Sequence, residues 1–390
     1  MIYLDNAATT KIDPRVVEAM MPYLTEQYGN AGSLYKLGRD ANAAVEKARE
    51  QVARFMGAKP EQIIFTSGAT EANNTVFAIT KPILEQSGKK HIITSAIEHQ
   101  SVLKPVKNLE DNFGFQVTYV GVPKRYNPFP DGLTDHNLYD TVGLISFMAV
   151  NNEIGYSHDV RLIGQVCQKA GALFHTDCVQ AAGCRPINVR RIGCDFATIS
   201  SHKIHGPKGV GALFIKDKEK FEPMIRGGDH QEFGMRGGTE NVAGIVGFGK
   251  ACELAMEHLT IEEIERLEDM KSAFIRRFSE HLAKHGISDE EWNLNGCSRN
   301  ATKTLNFYVN GVDAESLILL VDASGVCISA GSACNSRENV PSHVLTAIGL
   351  TAEQARSSFR VSFSRMNTML EVCKAAETIA ECIAILRGGT

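Results

Sequence analysis

The feature that most constrains this chain is a change of rhythm after Gly57, where short apolar runs begin to alternate with longer stretches of helical pattern. The runs are Ile63 to Thr66, His91 to Thr94, Gln116 to Val120, Gly143 to Met148, Ala172 to Thr176 and Phe196 to Ile199, and helical stretches such as Glu71 to Glu85 and Val160 to Lys169 separate them. This order predicts an α/β fold, a mostly parallel sheet with helices on both faces. In such sheets ligands gather where strands end and helices begin. Two helices precede the alternation. Asp13-Pro14 opens one that runs to about Gln27, and Val45, Ala48, Val52, Phe55 and Met56 mark a face of the other, which stops at Gly57. Pro123 to Asp140, with its prolines, Asp and Asn, reads as a surface loop. From Leu259 the texture changes again. A long amphipathic helix starts at the capping box Thr260 to Glu263 and ends at Gly286, and a smaller α+β unit follows. That unit holds a strand through Leu305, Phe307 and Val309, a helix from Ala314 to Leu320, a strand near Phe359 to Ser362, and a closing helix.

Composition narrows the function. Among 390 residues, 41 basic and 45 acidic side chains leave a net charge of −4 with no long block of one sign, so a nucleic-acid surface or an anionic membrane surface has no support. The most apolar run, Val142 to Val150, has strand length rather than membrane-helix length. The start, MIYLDNAATTKIDP, lacks the order of a secretory signal, and the expectation is a cytoplasmic protein. Ten cysteines fall without a C-x-x-C pair, which indicates neither a zinc module nor a disulfide framework; most are expected to be buried small hydrophobes.

Three segments carry chemistry. Ser200 to Gly209 (SSHKIHGPKG) follows a strand and sets Lys203 among hydroxyls, imidazoles and glycines, which suits an imine to an aldehyde cofactor with a phosphate tail. Alone, the same loop reads as a polar loop with a solvated lysine. A metal reading of His202 and His205 lacks a third ligand. Thr66 to Glu71 (TSGATE) is a glycine turn into a helix, which serves equally as a phosphate site or a plain N-cap. His175 to Gln180 (HTDCVQ) ends an apolar strand with Asp177, a carboxylate that can hold a pyridine nitrogen protonated or cap a helix. Together they supply what a pyridoxal 5'-phosphate site needs at its aldehyde, phosphate and ring nitrogen.

At these residues the sequence resembles the cysteine desulfurases, fold-type-I pyridoxal phosphate enzymes that take sulfur from L-cysteine. The likeness extends over nearly the whole chain: YLDNAATT at Tyr3 to Thr10, TSGATE, IEHQSV at Ile97 to Val102, VNNEIG at Val150 to Gly155, HTDCVQ, SSHKIHGPKG, GGTENV at Gly237 to Val242 and SAGSAC at Ser329 to Cys334. The resemblance implies that Lys203 carries the cofactor as an imine, Asp177 partners the pyridine nitrogen, and His99 stacks on the ring and shuttles protons. Asn152 and Gln180 hold the pyridine-side hydroxyl. Thr70, with its neighbour Ala69, Ser200 and His202 bind the phosphate, and Thr239 reaches the phosphate of a neighbouring subunit, which implies a homodimer. Asn30 and Arg360 hold the substrate carboxylate; the planar fork of an Arg matches such a group. The implied organisation is a large cofactor-binding domain over 16–258, and a small domain of 1–15 and 259–390 that carries the catalytic cysteine loop.

Cys334 completes the expected chemistry, because sulfur transfer needs a second thiolate to attack the substrate sulfur. It lies among small and polar residues, Ser329 to Pro341, the composition of a mobile loop rather than a core. Its spacing to Pro341-Ser342-His343 resembles the subgroup with the longer cysteine loop, which passes persulfide to separate acceptor proteins. The expected reaction converts L-cysteine to L-alanine and an enzyme persulfide, for iron–sulfur cluster assembly or tRNA and cofactor thiolation. A lyase acting on selenocysteine or another amino acid is the alternative within enzymes, and a lapsed scaffold that only docks acceptor proteins is the alternative outside them. Three positions depart from the family pattern: Tyr35 stands for a histidine, Phe233 for an arginine and Gly237 for a serine. The last predicts a looser phosphate cup.

Overall fold

The computed structural model describes residues 1–122, 140–296, 303–330 and 341–388. Most of the proline-rich stretch before Asp140 lies outside the described residues, and so does Cys334. The chain opens with a two-residue strand β1 (Ile2–Tyr3), then helices α1 (Pro14–Thr25) and α2 (Lys36–Met56). Asp13 caps α1 by accepting from the Arg15 N–H, with Pro14 at the first helical position. Gly57, at φ +66°, ends α2 in the left-handed conformation that a side chain disfavours.

Seven strands follow: β2 (Ile63–Thr66), β3 (His91–Ser95), β4 (Gln116–Val120), β5 (Val142–Ser146), β6 (Leu173–Asp177), β7 (Phe196–Ser200) and β8 (Gly211–Ile215). They form one sheet in the order β2-β8-β7-β6-β5-β3-β4. β8 runs antiparallel to both β2 and β7, while the ladders from β7 to β4 are parallel. The apolar runs anticipate the parallel strands to within two residues and leave out β8. Gly211 to Ile215 follows the lysine loop with no helix between, so it breaks the alternation that marks the others.

Period-two alternation sorts the sheet's side chains between two layers. Ile63, Phe65, Ala212, Phe214 and Ile199 join one core with α2 and with α5 (Val160–Ala170), α6 (Val189–Ile192) and α7 (Val242–His258). Ile64, Leu213, Ile215, Ile92 and Leu144 face the other way, toward α3 (Ala69–Ser87) and α4 (Gln100–Phe113).

The chain then enters α8 (Ile261–Lys284), started by the Thr260 side chain, which accepts from the Glu263 N–H. Beyond it lie β9 (Trp292–Asn295), β10 (Thr304–Val309), α9 (Ala314–Ala323), β11 (Val326–Cys327), β12 (Ser329–Ala330), α10 (His343–Ala347), α11 (Ala352–Arg356), β13 (Ser358–Ser362) and α12 (Met369–Leu386). Antiparallel pairing gives the order β12-β13-β10-β9. A separate core fills the space between this sheet, α8 and α12. In it Phe274, Phe278, Phe307 and Phe359 pack ring to ring with centroids 5.1 to 5.9 Å apart. The N-terminus belongs to that core: Leu4 is buried in it, β1 pairs with β11, and the Ser362 N–H donates to the Leu4 carbonyl at 2.7 Å. Among the described residues no helix is long and apolar enough to cross a membrane.

Candidate active site

The parallel strands of the large sheet end along one edge, and the chemistry-bearing motifs all sit just past those ends. β2 leads into Gly68, Ala69 and Thr70 at the start of α3; β3 leads to His99, β5 to Asn152, β6 ends on Asp177, and β7 ends on Ser200 before Lys203. They line one cavity of about 600 Å³, together with Gln180, His202 and, from the smaller sheet, Arg360. Ten of the thirteen residues singled out in the sequence therefore share one space. Asn30 does not line it; it is exposed and its side-chain oxygen accepts from the Gly32 N–H at 2.9 Å. Thr239 is exposed too and lines a smaller cavity with Ser67, Gly209 and Arg236. Cys334 lies outside the described residues.

Lys203 donates from Nζ to the carbonyls of Ala7 and Ala8, at 2.5 and 2.7 Å. Burial, with Lys303 and Arg360 as like charges nearby, pushes the amine down to about 7. That favours the neutral form an imine-forming amine must adopt. The Asp177 carboxylate is fixed on both oxygens: Asn73 Nδ2 donates to Oδ2 at 2.8 Å and the Val179 N–H to Oδ1 at 2.9 Å. His99 caps α4, its Nδ1 accepting from the Ser101 N–H at 3.1 Å, so that ring and helix start are locked together. Burial, then the Lys203 charge among other neighbours, lowers His99 although Asp177 opposes it, and the imidazole is held toward neutral.

The same cavity is lined by the N-terminus of α3, by Thr70 and Ser200, and by His202. A nineteen-residue helix presents free N–H groups and the positive end of its dipole there, a setting for a phosphate. His202 Nδ1 lies 3.1 Å from Thr9 Oγ1, and burial first, then neighbouring lysines, takes its ring down to about 4. His205 is turned elsewhere, donating from Nδ1 to the Lys11 carbonyl, so the two imidazoles do not converge on a metal. Arg360 donates to Asp5 Oδ1 at 2.7 Å and to the Asn152 carbonyl at 3.0 Å, while its buried Nε has no partner among the described residues.

Sequence reasoning did not single out several residues that shape this space. Glu98 is fully buried and pushed well up by desolvation; one oxygen accepts from the Met148 N–H and the other has no partner among the described residues. Glu153 lines the cavity and accepts from the Ser342 hydroxyl at 2.5 Å; burial raises it to about 7. His343 donates from Nε2 to the Glu98 carbonyl and lines the same wall. Asn73 carried a usable signal, since it follows Thr70 by three positions on one helix and so returns to the same face.

The comparison with known proteins settles the lineage. A family profile, aminotransferase class-V, matches residues 2–374. The chain belongs to the aminotransferase class-V family. A protein named cysteine desulfurase IscS, from Dictyoglomus turgidum, is 43% identical over 387 residues, covering 99% of this chain and 95% of the relative. A solved structure described as a NifS-like protein superposes with a TM-score of 0.86 at 34% identity, covering 98% of this chain and 99% of that one. Another, described as SspA in complex with cysteine, gives 0.74 at 32% identity over 94% and 100%. The resemblance read from the motifs is thus borne out, and the mixed α/β architecture is that of the fold-type-I enzymes in this class-V family.

The departures from the family pattern have local explanations. Gly237 is buried against Gly227, and a Cβ added there would lie 2.4 Å from the Gly227 Cα, so close backbone contact favours a glycine at this position. Phe233 has two cations over its ring, the Arg49 guanidinium and the Lys218 ammonium, each 4.9 Å from the centroid. Tyr35 is exposed at the start of α2.

Proposed function

We propose that this chain is an L-cysteine desulfurase that uses pyridoxal 5'-phosphate, releases L-alanine and takes the sulfur onto Cys334. The observation that carries this reading is the desolvated Lys203 amine in one cavity with the fixed Asp177 carboxylate and the α3 N-terminus. These groups fit the cofactor: an imine-forming amine, an anion that can hold a ring-nitrogen proton, and a helix start for a phosphate, with the Gln180 Oε1 buried at the cavity wall without a partner among the described residues. When bound, that cofactor supplies an electron sink for the bond broken at the substrate's α-carbon.

The chain's own residues supply the rest. Asp177 keeps the ring nitrogen protonated, and Gln180 and Asn152 face the ring hydroxyl. Thr70 and Ala69, Ser200 and His202 hold the phosphate, joined by Thr239 of a second copy in a homodimer. Arg360, with Asn30, takes the substrate carboxylate. Lys203, neutral once released, accepts the proton from the α-carbon, and His99 moves protons near the substrate. The Cβ–S bond of cysteine then breaks, an S–S bond to Cys334 forms, and the carbon left behind is protonated to give alanine. The persulfide passes to sulfur-acceptor proteins. We assign 16–258 to the cofactor-binding domain and 1–15 with 259–390 to the domain carrying Cys334, in a cytoplasmic enzyme.

Mass spectrometry after brief exposure to L-cysteine tests the reading. One added sulfur is expected on the peptide containing Cys334, and none in Cys334→Ala, which should keep the cofactor's colour. Equal alanine formation by Cys334→Ala and the parent would discard the nucleophile assignment. Preference for selenocysteine in the same alanine assay would shift the substrate.

A further inference from the structure

Behind Lys203, on the side away from the main cavity, lies a second and much smaller one of about 30 Å³. Lys203 lines both, so it forms part of the wall between them. The small cavity gathers groups from many parts of the chain. Thr10 comes from the N-terminal segment, Cys184 from the loop after β6, His205 from the lysine loop, His258 from the end of α7, Glu263 from α8, Lys303 from the residue before β10, and Arg365 from beyond β13.

Most of the charged groups there are already matched. Arg365 donates to Asp13 at 2.7 Å, and Glu263 takes a two-pronged contact from Arg266 at 2.7 Å on each oxygen. Burial first, then neighbouring charge, takes His205 down to about 4, so it adds no positive charge near neutrality. Lys303 differs. It is 5% exposed, its backbone is pinned by the Phe363 N–H on its carbonyl, and among the described residues its ammonium makes no hydrogen bond or ion pair. A lysine buried to this degree without a carboxylate is uncommon, because desolvating the charge costs free energy that a partner ordinarily offsets. Its charge acts on its neighbours instead: Lys203, His202 and His205 are each lowered in part by Lys303.

We propose that Lys303 is a positioning residue for Lys203: its charge, unmatched among the described residues and set on the same small cavity, keeps the Lys203 amine neutral and nucleophilic near neutral pH. This rests on the reading of Lys203 as the imine-forming lysine. A like charge in a poorly solvated neighbourhood disfavours the protonated form of an amine, which is one established way to activate a lysine. Removing the charge should therefore move the titration of Lys203 to higher pH.

The test uses the full chain without cofactor, brief acetic anhydride pulses across a pH series, and mass spectrometry of the peptide containing Lys203. Only the neutral amine reacts, so the midpoint reports its protonation directly. In Lys303→Met and Lys303→Gln the midpoint should rise by about one pH unit, whereas Lys303→Arg, which keeps the charge, should leave it in place. An unmoved midpoint in a folded neutral variant would overturn the proposal, as would an equal shift in Lys303→Arg. Loss of fold in all three variants would also overturn it, by making Lys303 a structural residue. Colour on adding pyridoxal 5'-phosphate to the parent is read separately. A chain that stays colourless yet shows the Lys303-dependent shift loses the cofactor reading and keeps this one; a coloured chain without the shift does the reverse.

Discussion

The two sheets of this molecule are built on opposite principles. The small unit is sealed with aromatic rings: Phe274, Phe278, Phe307, Phe359 and Phe363 are all fully buried. The large unit is apolar between its sheet and helices, but along the edge where its parallel strands end it buries Asn73, Glu98, Asp177, Gln180 and Ser201, and each of these except Asp177 keeps a side-chain atom without a partner among the described residues. Unsatisfied buried polar atoms cost stability, on the order of 1–3 kcal/mol each. Those four lie beside the cavity, whereas the small unit's own on Arg277, Asn295 and Asn306 do not line it. The small unit contributes Arg360 to that edge from β13, which pairs on both sides, so the rigid aromatic core holds the cavity-lining guanidinium in register.

If this contrast is right, substitutions in the two regions should fail in different ways. Lys203→Ala should abolish alanine formation from L-cysteine while thermal unfolding stays at or above that of the parent, because a desolvated amine has been removed. Loss of fold instead would erase the distinction. Phe307→Ala should do the opposite, lowering stability by about 3–5 kcal/mol in urea unfolding while a folded sample keeps the cofactor's colour. The mildest effect is expected from Glu153→Gln. Burial holds the Glu153 carboxyl at about 7 against an ordinary 4.5, so between those values the folded chain keeps a proton that the unfolded chain has lost. Stability contributed at that position therefore falls as pH rises through the window. Glu153→Gln should flatten this slope in unfolding measured from pH 4.5 to 7, and an unchanged slope would place the titration elsewhere.

Much of this was legible in the sequence, for identifiable reasons. Asp13-Pro14 and Gly57 announced helix ends because capping and left-handed backbone demand particular residue types. The strand-end motifs announced the cavity because parallel sheets deliver their loops to one edge. What was illegible has equally physical causes. β8 hides behind a glycine-rich loop and runs against its neighbours. The acceptors for Lys203 are backbone carbonyls of two alanines, which carry no side-chain signature. Lys303 sits 100 positions from Lys203, and only the folded chain brings them to one cavity.

The first ten residues have a practical consequence for anyone handling the protein. Two of their carbonyls hold Lys203, one of those also receives the Gln180 amide, and Asn6 is stitched to Ser362 and Asn367. Met1 itself is 92% exposed. A purification tag joined ahead of Met1 should be harmless, whereas trimming the chain back to Lys11 would strip the scaffolding from around Lys203 and Gln180 while leaving those side chains in place.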